Sequence, residues 1–397
     1  MLLTVSKTPG VGVVSLYAME SSPGAPKPQP LNILTEKGGK AGIWQSGMGL
    51  AVDGNRVFVT TGNGQGHANG DVPASGKMPL STLDEVVANF AVSSTGVLTL
   101  KDYFQPYEYI NMDAADKDLG SSGTALLEGP TFWTATVQKI ALTAGKNGKL
   151  YVLDASNLGG FKNGKGGTDN VIQTLPLSNS VFGGAGGYPL EGYIYVTPVG
   201  DYTYAFKAGV DGNGQLFFTQ AGKTPTQSAG RAGVGPPTIT TLDGRIGTGI
   251  LWLTDVNVGV RAFRATPDVS GVLQPISLPA TPGANKFQRP SFGNGRVYFT
   301  ANNKLLCLGS PVNLPLNCSA VDFGQVQTGR FFHCFASRRS PVLAVSLVEA
   351  SSWTAGGGGE RTCQHPPRET VATQQLTSHR NHPVHDSLLH GSRLDED

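Results

Sequence analysis

Histidine is nearly missing from most of this 397-residue chain: His67 alone lies before Arg330, and the other six follow it. A serine nucleophile needs an imidazole to take its proton. Zinc or copper held by histidine needs several imidazoles. The metal sites are therefore excluded over the first 330 residues, and His67 is left as the one candidate base. It sits in the polar, Gly-rich stretch GNGQGHANGD, with no GxSxG motif anywhere, so a solvated loop histidine is expected. Charge is scarce too, at 15% of residues with a formal net charge of +2, and no Lys/Arg stripe offers itself to nucleic acid. No apolar run approaches the length of a membrane span. At the start, MLLTVSKTPG has a short apolar run broken by Lys7, so no export signal is visible in the chain as given. The four cysteines form no CxxC, which removes zinc-ribbon and thioredoxin-like readings and leaves buried or free thiols or a Cys307–Cys318 disulfide.

Glycine, in contrast, is abundant at 54 residues without a collagen period, as in a turn-dense all-β protein. Five aromatic or β-branched runs recur after small-residue stretches: RVFVTTGNG from Arg56, KIALTAG from Lys139, YIYVTPVG from Tyr193, ILWLTDV from Ile250 and RVYFTAN from Arg296. After a longer first interval they return at roughly fifty residues, the signature of propeller blades built from short strands. The innermost strand of a blade must be small, because strands crowd toward the axis. The stretches from Ser46, Gly120, Gly184, Ala229 and Gln288 meet that demand, and the five runs are the second strands. Third strands read as VANFAVS, KLYVLDA, YTYAFKA, GVRAFRA and KLLCLGS, and fourth strands as VLTLKDYF, VIQTLPL, QLFFTQ and VLQPISL. The last blade has no outer strand. Before these blades, LLTVSKT, VVSLYAME and LNILTEK read as three strands of an earlier blade without its inner one. The expectation is an all-β propeller of four-stranded antiparallel blades, about five plus a partial one, cut from a ring of seven or eight.

Composition changes abruptly near Arg330. No lysine follows it, and AGGGGERTCQHPPRET and HDSLLHGSRLDED show no strand or helix period. Residues 331–397 are expected to be a low-order tail, with VLAVSLVEASSW from Val342 the one stretch able to pack. A readthrough or frame error in the gene would explain the change of usage.

Three features carry chemistry. Asp113, Asp116 and Asp118 in NMDAADKDLG are the one dense carboxylate group, able to offer hard oxygen ligands to calcium but lacking the Gly and Glu of an EF-hand; the alternative is a capped surface turn. GGFKNGKG from Gly159 has phosphate-loop spacing, yet Gly166 replaces the hydroxyl residue and no helix pattern follows, so a flexible blade loop is expected. Aligning the inner strands places Trp44, Gln45, Asp118, Ser121, Ser122, Arg231, Gln288 and Arg289 around one axis. Two arginines, a carboxylate, amides and an indole could hold a planar anionic or sugar-like ligand through forked hydrogen bonds and stacking. Alternatively these groups bond one another and plug the channel.

IWQSGMGLAVDGNRVFVTTGNG from Ile43, DLGSSGTALL from Asp118 and TAGKNGKLYVLDASNLGGF from Thr143 resemble the pyrroloquinoline-quinone-like repeats of the quinoprotein alcohol dehydrogenase-like propellers, over roughly residues 10–310. FAVSSTGVL from Phe90 and AFKAGVDGNGQL from Ala205 look like worn copies of the same unit. No Trp closes the TGK-like segments, and no adjacent cysteine pair exists. LNCSAVDFGQVQTG from Leu316 resembles the start of an immunoglobulin-like module, which assigns 1–310 to the propeller, 311–330 to a truncated module and 331–397 to the tail. Asn317-Cys318-Ser319 is a glycosylation sequon, meaningful in an exported protein. The resemblance implies an extracellular protein. The leading function is a non-catalytic ligand-binding or scaffold propeller, with a small molecule or glycan at the channel mouth. The alternative is an oxidoreductase acting on alcohols or sugars with pyrroloquinoline quinone and calcium, cofactors implied by resemblance only, in which Asp118 would be base or metal ligand. A nonfunctional fragment is the third reading.

Overall fold

The computed structural model describes residues 41–64, 76, 80, 82–94, 97–230, 233–293 and 295–309, with the strand backbone of 2–7, 14–19 and 32–33. The chain divides into two units, Met1–Val348 and Glu349–Asp397, and every described residue belongs to the first.

Runs of β-branched and aromatic residues, punctuated by tight turns, form a succession of antiparallel sheets in chain order. The first has three strands, β1 (Leu2–Lys7), β2 (Val14–Met19) and β3 (Asn32–Ile33). The second comprises β4 (Ala51–Asp53), β5 (Arg56–Thr60), β6 (Val87–Val92) and β7 (Leu98–Gln105), followed by the short helix α1 (Tyr109–Ala114). The third holds β8 (Ala125–Glu128), β9 (Lys139–Ala144) and β10 (Lys149–Asp154); the chain then forms β11 (Gly160–Phe161) before returning as β12 (Gln173–Pro176). The fourth is β13 (Ala185–Tyr188), β14 (Tyr193–Val196), β15 (Tyr204–Val210) and β16 (Leu216–Lys223). The fifth is β17 (Thr238–Thr240), β18 (Ile250–Asp255), β19 (Gly259–Arg264) and β20 (Pro275–Ile276). The sixth has β21 (Ser291–Gly293), β22 (Arg296–Ala301) and β23 (Lys304–Gly309), without a fourth strand among the described residues. A nearly all-β chain of such meandering sheets is a propeller-like fold.

Burial follows from how the sheets stack. In β9 and β18 every residue after the first is buried, the pattern of a strand covered on both faces. One apolar cluster joins the second and third sheets through Phe58, Phe104, Ala141 and Tyr151. Others join the third to the fourth, through Leu142 and Ile194, and the fourth to the fifth, through Tyr195 and Leu253. Trp252 and Phe299 bridge the fifth and sixth. In β22, by contrast, buried and half-buried residues alternate, as in a strand packed on one face. The β22–β23 hairpin turns on Asn302 and Asn303, both in the left-handed region at φ 49° and 59°, as a two-residue turn with the twist of the strands requires.

All the second and third strands lie where the sequence places them, as does β13; other inner strands begin later. β4 begins at Ala51 rather than Ser46, because Gln45–Gly47 forms a 3-10 turn with Gln45 and Ser46 at positive φ. β8 begins at Ala125, since Leu119–Ser121 is also a 3-10 turn, and β17 is confined to Thr238–Thr240 after Pro236 and Pro237, which lack the N–H a ladder needs. GGFKNGKG is not a loose loop. Its Gly160 and Phe161 pair in parallel with Phe104 and Gln105, capping the edge of β7, and Phe161 is wholly buried with its ring 5.4 Å from that of Tyr109. Cys307 is exposed and has no disulfide partner among the described residues; Cys318 lies outside them. Among the described residues no helix is long and apolar enough to cross a membrane. The expected module at 311–330, the tail at 331–397 and His67 lie outside the described residues.

Candidate functional site

The segments leading into the inner strands converge. A Cβ on Gly47 would collide with the carbonyl of Phe287, and one on Gly184 with the thioether of Met48, which also faces the Gly123 amide at 3.3 Å. Residues before β4, β8, β13 and β21 thus share one central region.

Most polar residues there have structural partners. The Gln45 amide donates to the Gly49 carbonyl and accepts from the Thr60 amide at 2.7 Å, closing the end of β5. Ser122 donates to the Ala144 carbonyl and accepts from the Ala144 amide at 3.1 Å, closing β9. Gln288 donates to the Thr300 carbonyl at 2.8 Å and accepts from its amide, closing β22. One device, a side chain ahead of the inner strand clasping the end of the second strand, recurs in three sheets. Ser121 donates to the carbonyls of Asp118 and Val181, at 2.9 and 2.7 Å, tying the third sheet to the approach of the fourth.

The aspartates are similarly committed. Asp118 accepts from the Asn63 amide at 2.9 Å and pairs with Lys146 at 2.5 Å. Asp116 accepts from the Asn63 side chain at 2.8 Å and pairs with Lys146 at 3.1 Å, and Asp113 accepts from the Gly64 amide at 2.6 Å. They anchor residues 63 and 64 rather than converging, and among the described residues no group of three His, Cys, Asp or Glu side chains is placed to hold a metal ion. Calcium therefore does not fit these aspartates as they stand. The Lys146 bond, the largest cause, holds the Asp116 carboxyl below its ordinary range. Burial works to lower the Lys146 pKa, but its bonds to Asp118 and Asp116 outweigh that and the net shift is upward. Beneath them Glu85, fully buried, accepts from the Leu119 amide at 2.5 Å, while its other carboxyl oxygen has no partner among the described residues. Burial first, then the charges of Asp113, Asp118 and Asp84, pushes its pKa up to about 10.

What remains available is aromatic and cationic. Trp44 is 40% exposed, and its ring meets Phe182 edge-on at 6.0 Å and Phe287 at 5.9 Å, while Phe182 and Phe287 stack at 6.0 Å. Lys146 lies 5.7 Å from the Trp44 ring and 5.9 Å from that of Phe182. Arg289, two residues beyond Phe287, is exposed and has no polar partner among the described residues. Desolvation lowers its pKa, and it remains charged. Of the expected site residues, Trp44 and Arg289 are thus exposed, Gln45, Asp118 and Ser122 are bonded within the fold, and Arg231 lies outside the described residues. Lys146, Phe182 and Phe287 were not anticipated. The two phenylalanines had a signal: IWQSGMG, VFGGAGG and KFQRPSFG each put an aromatic just ahead of an inner strand.

No protein-family model matches the chain, and no curated protein does either. Among solved structures it is similar to the crystal structure of a protein from Lactobacillus plantarum, at 13% identity and a TM-score of 0.46, over 78% of this chain and 77% of that one.

Proposed function

We propose that this chain is a non-catalytic ligand-binding or scaffold propeller of an extracellular protein, built from pyrroloquinoline-quinone-like repeats, with its ligand at the central end. The observation that carries the reading is the Trp44 indole, exposed at 40% yet held edge-on by two phenyl rings, with Arg289, unpartnered among the described residues, close by in sequence to one of them. A rigid exposed indole loses little entropy on binding. The groups that might act as base or nucleophile, Asp118 and Ser122, already hold Lys146, Asn63 and Ala144. That commitment favours binding over quinone- and calcium-dependent oxidation.

Acrylamide quenching of tryptophan fluorescence tests this in the full chain, with and without neutral sugars, acidic sugars, or pyrroloquinoline quinone plus calcium. A sugar should shield Trp44, raise the melting temperature by a few degrees and lose both effects in Trp44→Ala. A melt raised by the quinone and calcium, with dye-linked oxidation of an alcohol, would overturn the reading in favour of the oxidoreductase.

A further inference from the structure

We infer that the ligand is an acidic sugar, its pyranose ring stacked on Trp44 and its carboxylate or sulfate paired with Arg289 and Lys286; this rests on the binding reading above. Phe287 is the hinge of the geometry. Its ring abuts Trp44 at 5.9 Å, Lys286 places its ammonium 5.1 Å from the same ring, and Arg289 follows two residues on. Both cations are exposed, and among the described residues neither makes an ion pair or hydrogen bond. Lys146, which also lies against these rings, is different: Asp116 and Asp118 already satisfy it. Lys286 is thus an uncompensated positive charge beside the aromatic cluster, and Arg289 a second one two residues along the chain from Phe287. Guanidinium and ammonium donors make charge-assisted hydrogen bonds to a carboxylate or sulfate. The C–H face of a pyranose supplies the apolar surface an indole accepts, and its acidic substituent supplies the forked acceptor.

Titration calorimetry of the full chain with equal-length oligosaccharides of neutral glucose, of uronic acid and of sulfated sugar tests the inference. An acidic oligosaccharide should bind at least about tenfold tighter than the neutral one, and the difference should shrink as salt rises. Binding of the uronate alone assigns the site to carboxylate, and of the sulfated sugar alone to sulfate. Arg289→Gln and Lys286→Gln should each erode the preference, and Arg289→Glu should abolish it with the melting temperature unchanged, since Arg289 holds no bond among the described residues. Equal binding of neutral and acidic sugars, lost in Trp44→Ala, overturns the acidic inference and leaves the ligand site standing. Acidic binding indifferent to both cation variants also overturns it. Silence toward every sugar, with Trp44 unshielded by any of them, overturns the inference and the binding reading together.

Discussion

Glu85 shows how much a single residue can set in this fold. Its pKa stands at about 10 against an ordinary 4.5, so the folded state keeps it protonated where the unfolded chain releases its proton. The stability tied to that proton is complete below about pH 4.5 and drains away as pH rises toward the folded value. Asp169, pushed up to about 6 by burial, acts in the same direction over a lower window, roughly pH 4 to 6. Glu85→Gln keeps an acceptor for the Leu119 amide and removes the titration. Calorimetry should find it about as stable as the parent near pH 4.5 and increasingly more stable from pH 6 to 9. A constant offset across that range would refute the burial argument. Ser122→Ala should cost about 1–3 kcal/mol in denaturant unfolding, because it strips the partner from both the amide and the carbonyl of Ala144. Trp44→Ala, on an exposed ring, should cost far less stability and remove ligand binding instead. None of this was legible residue by residue: Gln45, Asp118 and Ser122 look like ligand-binding groups in the sequence, and only their partners make them structural.

At the scale of elements the sequence was a better guide. The second and third strands could be read because period-two runs between tight turns depend on neighbours along the chain. The inner strands could not be bounded, since Gln45–Gly47 and Leu119–Ser121 are bent into 3-10 turns by bonds to distant residues. β11 was missed for a related reason. Two residues carry no period, and Phe161 is buried only because another sheet offers its edge. Phe161→Ala should cost about 3–5 kcal/mol and release the strap from β7. Hydrogen exchange at Phe104 and Gln105 should then accelerate more than at β9; uniform acceleration would argue against a local latch.

Across the whole molecule, contacts at the centre connect sheets far apart in the chain. Gly184 lies at φ 69° with the Met48 thioether where a side chain would go. Gly184→Ala should therefore cost more than the roughly 1–2 kcal/mol of the left-handed backbone alone. Met48→Ala added to it should recover part of the loss, a coupling measurable in a double-mutant cycle. Strictly additive losses would mean that the two segments do not meet.

The sequence by itself determined the all-β repeat, the second and third strands of five sheets and the short supply of catalytic histidine. These are local or compositional properties, written into alternation, turn residues and counts. Tertiary structure decided which polar groups remain available for chemistry. The partner of Gln45 is 15 residues away, that of Ser122 is 22 and that of Asp118 is 55, so their bonds exist only once the strands have folded. Trp44 and Arg289 stay exposed for the converse reason: Trp44 remains 40% exposed after its ring contacts form, and among the described residues no acceptor reaches Arg289.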